Sequence, residues 1–211
     1  VGAELLRARA ADFMGLAEAQ RMLDELEQFA PATVRNVVPK PVSLTLLTDI
    51  LRRLVEEGVS IRDLRAILEA LATVAATEKD PLNLAELVRA QLRRALTFRL
   101  TRGSNQLGVI LIDPTIEDTV RRAVTRTPAG AFLTLPPAAA RDVVSALRRA
   151  AGDAAAEGPA PLVVLTQPDI RRFVRKLIES ELPDAAVVSF AELLPEVTLR
   201  PLARANLAGI G

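Results

Sequence analysis

Three carboxylates crowd into Asp113-Pro114-Thr115-Ile116-Glu117-Asp118, directly after the apolar run Gly108 to Ile112. At the end of a strand, such a group is where an α/β protein would hold a metal or run acid–base chemistry. The same residues have a plainer use: Asp113 before Pro114 reads as a helix N-cap, and Glu117 and Asp118 as acids of a first helical turn, where the macrodipole favours them. The chain has no His and no Cys. That removes the usual general base near neutral pH, and with it the imidazole and thiolate metal ligands. No P-loop, paired-glycine dinucleotide fingerprint or nucleophile elbow is present. No catalytic residue, cofactor site or metal site is assigned, and the chain reads as a non-enzyme.

Charge offers binding rather than catalysis. Arg171, Arg172, Arg175 and Lys176 form a band on one predicted helix, and Arg89, Arg93 and Arg94 another. Either band could meet nucleic acid, but a net charge of +1 supplies no long-range pull, and six Phe without Tyr or Trp give no stacking platform. A solvated surface or a protein contact through Arg fits better, since Arg is favoured at interfaces. A third charged set, Arg62, Asp63, Arg65 and Glu69, surrounds the stripe Ile61, Leu64, Ile67, Leu68, Leu71 and Val74, whose spacing of three and four marks a helix with one face in a core.

Those residues need elements to position them. With 211 residues and 50% hydrophobic content the chain can hold one large or two small folded units. Its longest obvious apolar run, Gly108 to Ile112, is far short of the roughly 20 residues that cross a bilayer. Glu4, Arg7 and Arg9 break up the start, so it is not a signal peptide, and the absence of an initiator Met predicts a piece of a longer protein. Up to about residue 98 every signal is helical: a stripe through Leu5, Leu6, Ala10 and Phe13, a second through Ala19 to Phe29, a short turn before Pro39, and two amphipathic helices within 43–80. Ser60 is expected to cap the second of these, with Asp63 three residues on, and Asp80-Pro81 to open the next.

Beyond residue 98 short apolar runs alternate with helices. Phe98 to Thr101 and Leu107 to Ile112 read as a hairpin around Arg102-Gly103-Ser104-Asn105. A helix is expected from Pro114 through Val124, then strands at 131–133, 162–165, 186–190 and 197–200, with helices at 137–150 and 169–181 and a surface loop at 151–160. The fold class predicted is α+β with several subdomains, an all-helical subdomain followed by a small α/β one.

Several segments together resemble one family. They are Ala10 to Gly15 with Glu18-Ala19-Gln20, Val38-Pro39, Leu51-Arg52-Arg53-Leu54, and Glu57 to Leu64 with Ile67 to Leu71. Gly108 to Asp113, Pro161 to Thr166, Pro168 to Phe173 and Val187 to Leu193 continue the likeness. In this order they are similar to the cytoplasmic part of the FHIPEP family, the export-gate proteins of type III secretion. The ending, Glu196 to Arg204, is similar to the injectisome branch more than the flagellar one, which is the close alternative; a nucleic-acid-binding helical domain is the remote one.

The resemblance implies residues 1–14 as the terminal helix of a truncated first subdomain, 15–97 as the helical third and 98–211 as the α/β fourth. It implies a soluble portion of a multi-pass protein at the cytoplasmic face of the bacterial inner membrane, reaching the bilayer only through a missing N-terminal region. Self-association into a nonameric ring, with Arg62, Asp63, Arg65 and Glu69 as candidate oligomer contacts, follows from the same likeness. The implied partners are chaperone–effector complexes, a gatekeeper and the export stalk, for which Arg171, Arg172 and Arg175 are candidate contacts.

Overall fold

The computed structural model describes residues 10–207, so the first helical stripe, which begins at Leu5 and Leu6, lies outside them except for helical residues 10–13. The chain forms two units divided at Leu96/Thr97. The mixed α+β class is as the sequence predicts.

The first unit is helical: α1 (Leu16–Glu27), α2 (Pro31–Arg35), α3 (Leu44–Glu56), α4 (Leu64–Val74) and α5 (Pro81–Gln91), with the division falling inside α6 (Arg93–Thr101). Caps set the starts. Ser43 Oγ accepts from Leu46 N at 3.1 Å, Asp63 from Ala66 N at 3.1 Å and Asp80 from Leu82 N at 2.8 Å. Asp63, not Ser60, therefore caps α4; Ser60 Oγ accepts from Arg62 N, ahead of the helix. α3 and α4 each pack on both α1 and α5, whereas α1 and α5 make no comparable contact with each other, so α1 and α5 occupy opposite corners of the bundle. Its core is built from Leu47, Ile50, Leu51, Leu54, Ile67, Leu68, Leu71 and Leu84. Each such side chain contributes about 1.5–3 kcal/mol by leaving water. Arg52 adds a polar tie, donating to the Met14 carbonyl at 2.8 Å just ahead of α1.

The second unit is built on a parallel sheet of order β5-β4-β1-β6, from β1 (Gln106–Ile112), β4 (Val163–Thr166), β5 (Ala186–Ser189) and β6 (Thr198–Ala205). Both sheet faces are covered, as parallel strands require. Ile110, Ile112, Val164 and Val187 face α7 (Pro114–Arg122), α8 (Pro137–Ala156) and α9 (Arg171–Ile178). Leu107, Val109, Leu165 and Val188 share the other face with Leu193 and Leu100. A separate antiparallel hairpin, β2 (Val124–Thr127) with β3 (Gly130–Leu133), follows α7.

Three expectations fail here. Phe98 to Thr101 is the end of α6, not a strand, and β1 lies between parallel neighbours instead of in a hairpin. Thr101 satisfies its hydroxyl on the Thr97 carbonyl at 2.8 Å, and Arg102 (φ 53°) and Gly103 (φ 80°) end the helix with Gly103 N donating to Phe98 O at 3.0 Å. The stretch 151–160 is largely helix, because Ala151 and Ala154 extend the buried stripe of α8 to Ala156. Val124 belongs to β2 and not to the preceding helix.

The β1–β6 pairing slips between Val109 and Ile110, leaving Leu202 as a bulged extra residue after Pro201. Leu202 lies over Gly108: a Cβ built there would come 2.8 Å from Leu202 Cδ1 and 3.2 Å from its Cγ. Gly108→Val is expected to cost about 1–3 kcal/mol of stability, read from the urea midpoint.

Candidate interaction surfaces

Because α4 buries Leu64, Ile67, Leu68, Ala70 and Leu71 on one side, its opposite side faces outward. Arg62, Asp63, Arg65 and Glu69 are all exposed there. Asp63 is engaged as the cap, and Arg65 Nε meets Glu69 Oε1 at 3.1 Å, an exposed pair that stabilises the helix by a few tenths of a kcal/mol, about the value of an i,i+4 pair.

Arg62, Asp63 and Arg65 form one wall of an open groove of about 500 Å3 whose other wall is α1. Met14, Met22, Leu26 and Phe29 supply the apolar surface, with Phe29 84% exposed. On the α1 wall Glu18 and Glu25 both bind Arg21. Sequence reasoning named one wall of this groove and missed the other. The available signal was that Met14 and Met22 are the only methionines of the chain, on a segment with an outward Phe29.

The basic band on α9 is not one surface. Arg171 is 1% exposed, donates from Nη1 to the Val187 carbonyl at 2.9 Å and lies 3.8 Å from Glu192, itself 1% exposed. Glu192 also accepts from Ser189 N at 2.9 Å. Arg171 is thus withdrawn from any partner: one turn away Arg175 behaves similarly, half-buried and donating to the Ala185 carbonyl at 2.9 Å. Both brace β5 and the residue before it, because β5 is an edge strand with a ladder partner on one side only and its outward carbonyls need other donors. Arg172, on the intervening face, lies 4.7 Å over the Phe173 ring. The other band also divides. Arg89 is buried 4.0 Å from Glu57, while Arg93 and Arg94 are exposed.

The acidic segment after β1 is structural. Asp113 caps α7 through Thr115 N at 2.9 Å, which, with the Thr115 hydroxyl, holds its carboxyl below the usual carboxylate range. Glu117 is buried and accepts from Thr166 Oγ1 at 2.8 Å and Gln167 N at 3.2 Å, joining α7 to the end of β4. Asp118 and Asp169 share Arg121, at 2.8 Å and 3.1 Å. The Arg121 hydrogen bond, outweighing partial burial, holds the Asp169 carboxyl below its ordinary value. A depressed carboxylate adds stability above its unfolded pKa of about 3.9 that is lost as pH falls through the lower folded value. Arg121→Gln should therefore reduce stability near neutral pH and shrink the loss below about pH 4, measured by thermal unfolding across pH.

Among the described residues no group of Asp and Glu is arranged to hold a metal ion, and no helix is long and apolar enough to cross a membrane. The HrcV hypersensitivity-response secretion protein of Ralstonia nicotianae is 42% identical over 95% of this chain. The match spans 29% of HrcV, so the chain corresponds to under a third of that relative. The solved structure of Chlamydia pneumoniae CdsV superposes with a TM-score of 0.88 at 39% identity, covering 96% of this chain and 57% of CdsV, and CdsV in complex with CdsO gives 0.87. A subunit of the nonameric SctV-C of EPEC gives 0.84 at 34% identity, covering 95% of this chain and 60% of its own. The FHIPEP model matches residues 2–198, and the chain belongs to the FHIPEP family of type III secretion export-gate proteins.

Proposed function

We propose that this chain is part of the ring-forming cytoplasmic portion of an inner-membrane export gate, of the injectisome branch, and acts as a non-catalytic platform for proteins awaiting secretion. The observation that carries this is the match of 95% of the chain to a subunit of a nonameric assembly at 34% identity and a TM-score of 0.84. The exposed charges Arg62, Asp63, Arg65 and Glu69 are the ring contact on this reading, arranged so that opposite charges can meet head to tail.

The CdsV–CdsO complex supports a second protein on a domain of this kind. The export stalk, chaperone–effector complexes and a gatekeeper are the proposed partners, with Arg172 and the outward part of Arg175 as the contacts left on α9 once Arg171 is assigned to the interior. Electron microscopy of the detergent-purified protein that carries this chain tests the reading. Nine-fold rings are expected, as in SctV-C, and a monomer or another symmetry overturns it.

A further inference from the structure

The β2–β3 hairpin is a sheet of two strands, and among the described residues no third strand flanks it. Thr134 N donates to Ala123 O at 2.8 Å, so in the alternation of an antiparallel pair the bonded pairs that follow are Thr125 with Phe132 and Thr127 with Gly130. The N–H and C=O of Arg126, between those pairs, therefore point out along the free edge of β2, where no partner among the described residues meets them. Two strands alone are marginal in water, and a third adds stability. We propose that β2 is a docking edge for an extended acidic segment of a second protein, which joins the hairpin as a third strand. On the proposed function that protein is one brought to the gate; the strand addition itself does not depend on ring formation.

Charge identifies the occupant. From Thr119 to Arg141 the chain has four Arg and no Asp or Glu. Arg121 is engaged by Asp118 and Asp169. Arg122, just ahead of β2, and Arg126 within it are exposed, and neither has an ion pair among the described residues. Asp169 lies within the field of Arg126, but its hydrogen bonds go to Arg121. An arriving carboxylate thus finds two cations that the fold leaves unneutralised. A second copy is disfavoured at the same edge, because β2 against β2 brings Arg122 and Arg126 close to like charges.

The two faces of the hairpin define the side chains that fit. Val124 shares the inner face with Ala131 and Leu133, which pack on the core of the second unit, and Arg126 follows on that face toward the turn. Thr125, Thr127 and Phe132 form the outer face, with Phe132 52% exposed. A strand laid beside β2 continues both faces, since successive side chains alternate. Acids on its inner face reach Arg126, and apolar residues on its outer face lie against Thr125 and the Phe132 ring.

Fluorescence anisotropy of the 211-residue chain with a short labelled peptide of alternating valine and glutamate tests this. Binding is expected to fall by at least about tenfold for the Arg122→Glu/Arg126→Glu variant, which should instead take the peptide with lysine in place of glutamate; a misfolded variant could not make that exchange. Methylating alternate backbone nitrogens of the peptide, which keeps its charge and removes its ladder donors, should abolish binding. Hydrogen exchange should show the Arg126 amide slowing on binding, while Thr125, already bonded across the hairpin, changes little. No binding by wild type up to about 1 mM, equal binding of the methylated peptide, or protection confined to α4 or α9 overturns the proposal. So does a single-stranded oligonucleotide that binds more tightly and displaces the peptide, which assigns the cations to nucleic acid. If the peptide adds to β2 as expected but nine-fold rings are absent, the docking edge stands and the export-gate reading fails.

Discussion

Arg171→Met is expected to destabilise the second unit by about 3–5 kcal/mol, the cost of breaking a buried ion pair by removing one partner. The guanidinium is 1% exposed, and its loss strips the Val187 carbonyl of a donor at 2.9 Å and leaves Glu192 charged in an apolar setting with Ser189 N as a remaining donor. Methionine fills much of the volume, so the loss is electrostatic and not a cavity. Urea denaturation followed by far-UV circular dichroism measures it. Pairing the change with Glu192→Leu should recover most of the loss, since no uncompensated charge then stays inside. Equal instability in the single and double variants would assign the cost to shape instead. Stalk binding, on the proposed function, would fall in Arg171→Met through unfolding, whereas Arg172→Ala should weaken binding with the fold intact.

The second large effect is expected from Leu68→Ala, at about 2–5 kcal/mol. Leu68 is fully buried on α4 in the core that α3 and α5 share, and removing its terminal carbons leaves a void that helices packed from several sides close only in part. Its neighbour Glu69 is exposed, and its carboxylate pairs with Arg65 at 3.1 Å, so Glu69→Ala should stay within roughly 0.5 kcal/mol. Thermal unfolding of the two variants side by side checks this. A large loss for Glu69→Ala would mean that the outward face of α4 is held by more than its own helix. Association should respond in the opposite order at temperatures where both variants are folded, because Glu69 and not Leu68 is surface.

The helical unit was legible because its information is local. Periodic leucines on α3 and α4, the Asp80-Pro81 start and the change of pattern near residue 98 are all signals carried within a few turns. Errors gathered where distant partners decide. Thr97 to Thr101 has the residue types of a strand, yet Thr97 accepts from Leu194 N at 3.0 Å and Thr101 turns on its own helix, contacts that no window of sequence contains. Parallel pairing of β1 with β4 and β6 hides for the same reason. Among site residues, the exposed charges on α4 follow from helical spacing alone. Whether an arginine on α9 points to solvent or to a carbonyl depends on how β5 passes it, and so Arg171 and Arg172, adjacent in sequence, divide between interior and surface. The groove escaped notice because its walls come from helices some forty residues apart, about the separation of Met22 and Arg62.

The bulge of β6 has a meaning for the company this protein keeps. Exposed strand edges recruit strangers, and any assembly that holds many copies at high local concentration multiplies the chances of such recruitment. Here one border of the sheet is only the four residues of β5, and the other loses its regular ladder midway, at Pro201 and Leu202. An imino acid offers no proton, and the displaced neighbour throws later groups out of step. Copies can therefore be crowded together without their sheets fusing into a fibre, leaving side-chain recognition to govern which surfaces adhere.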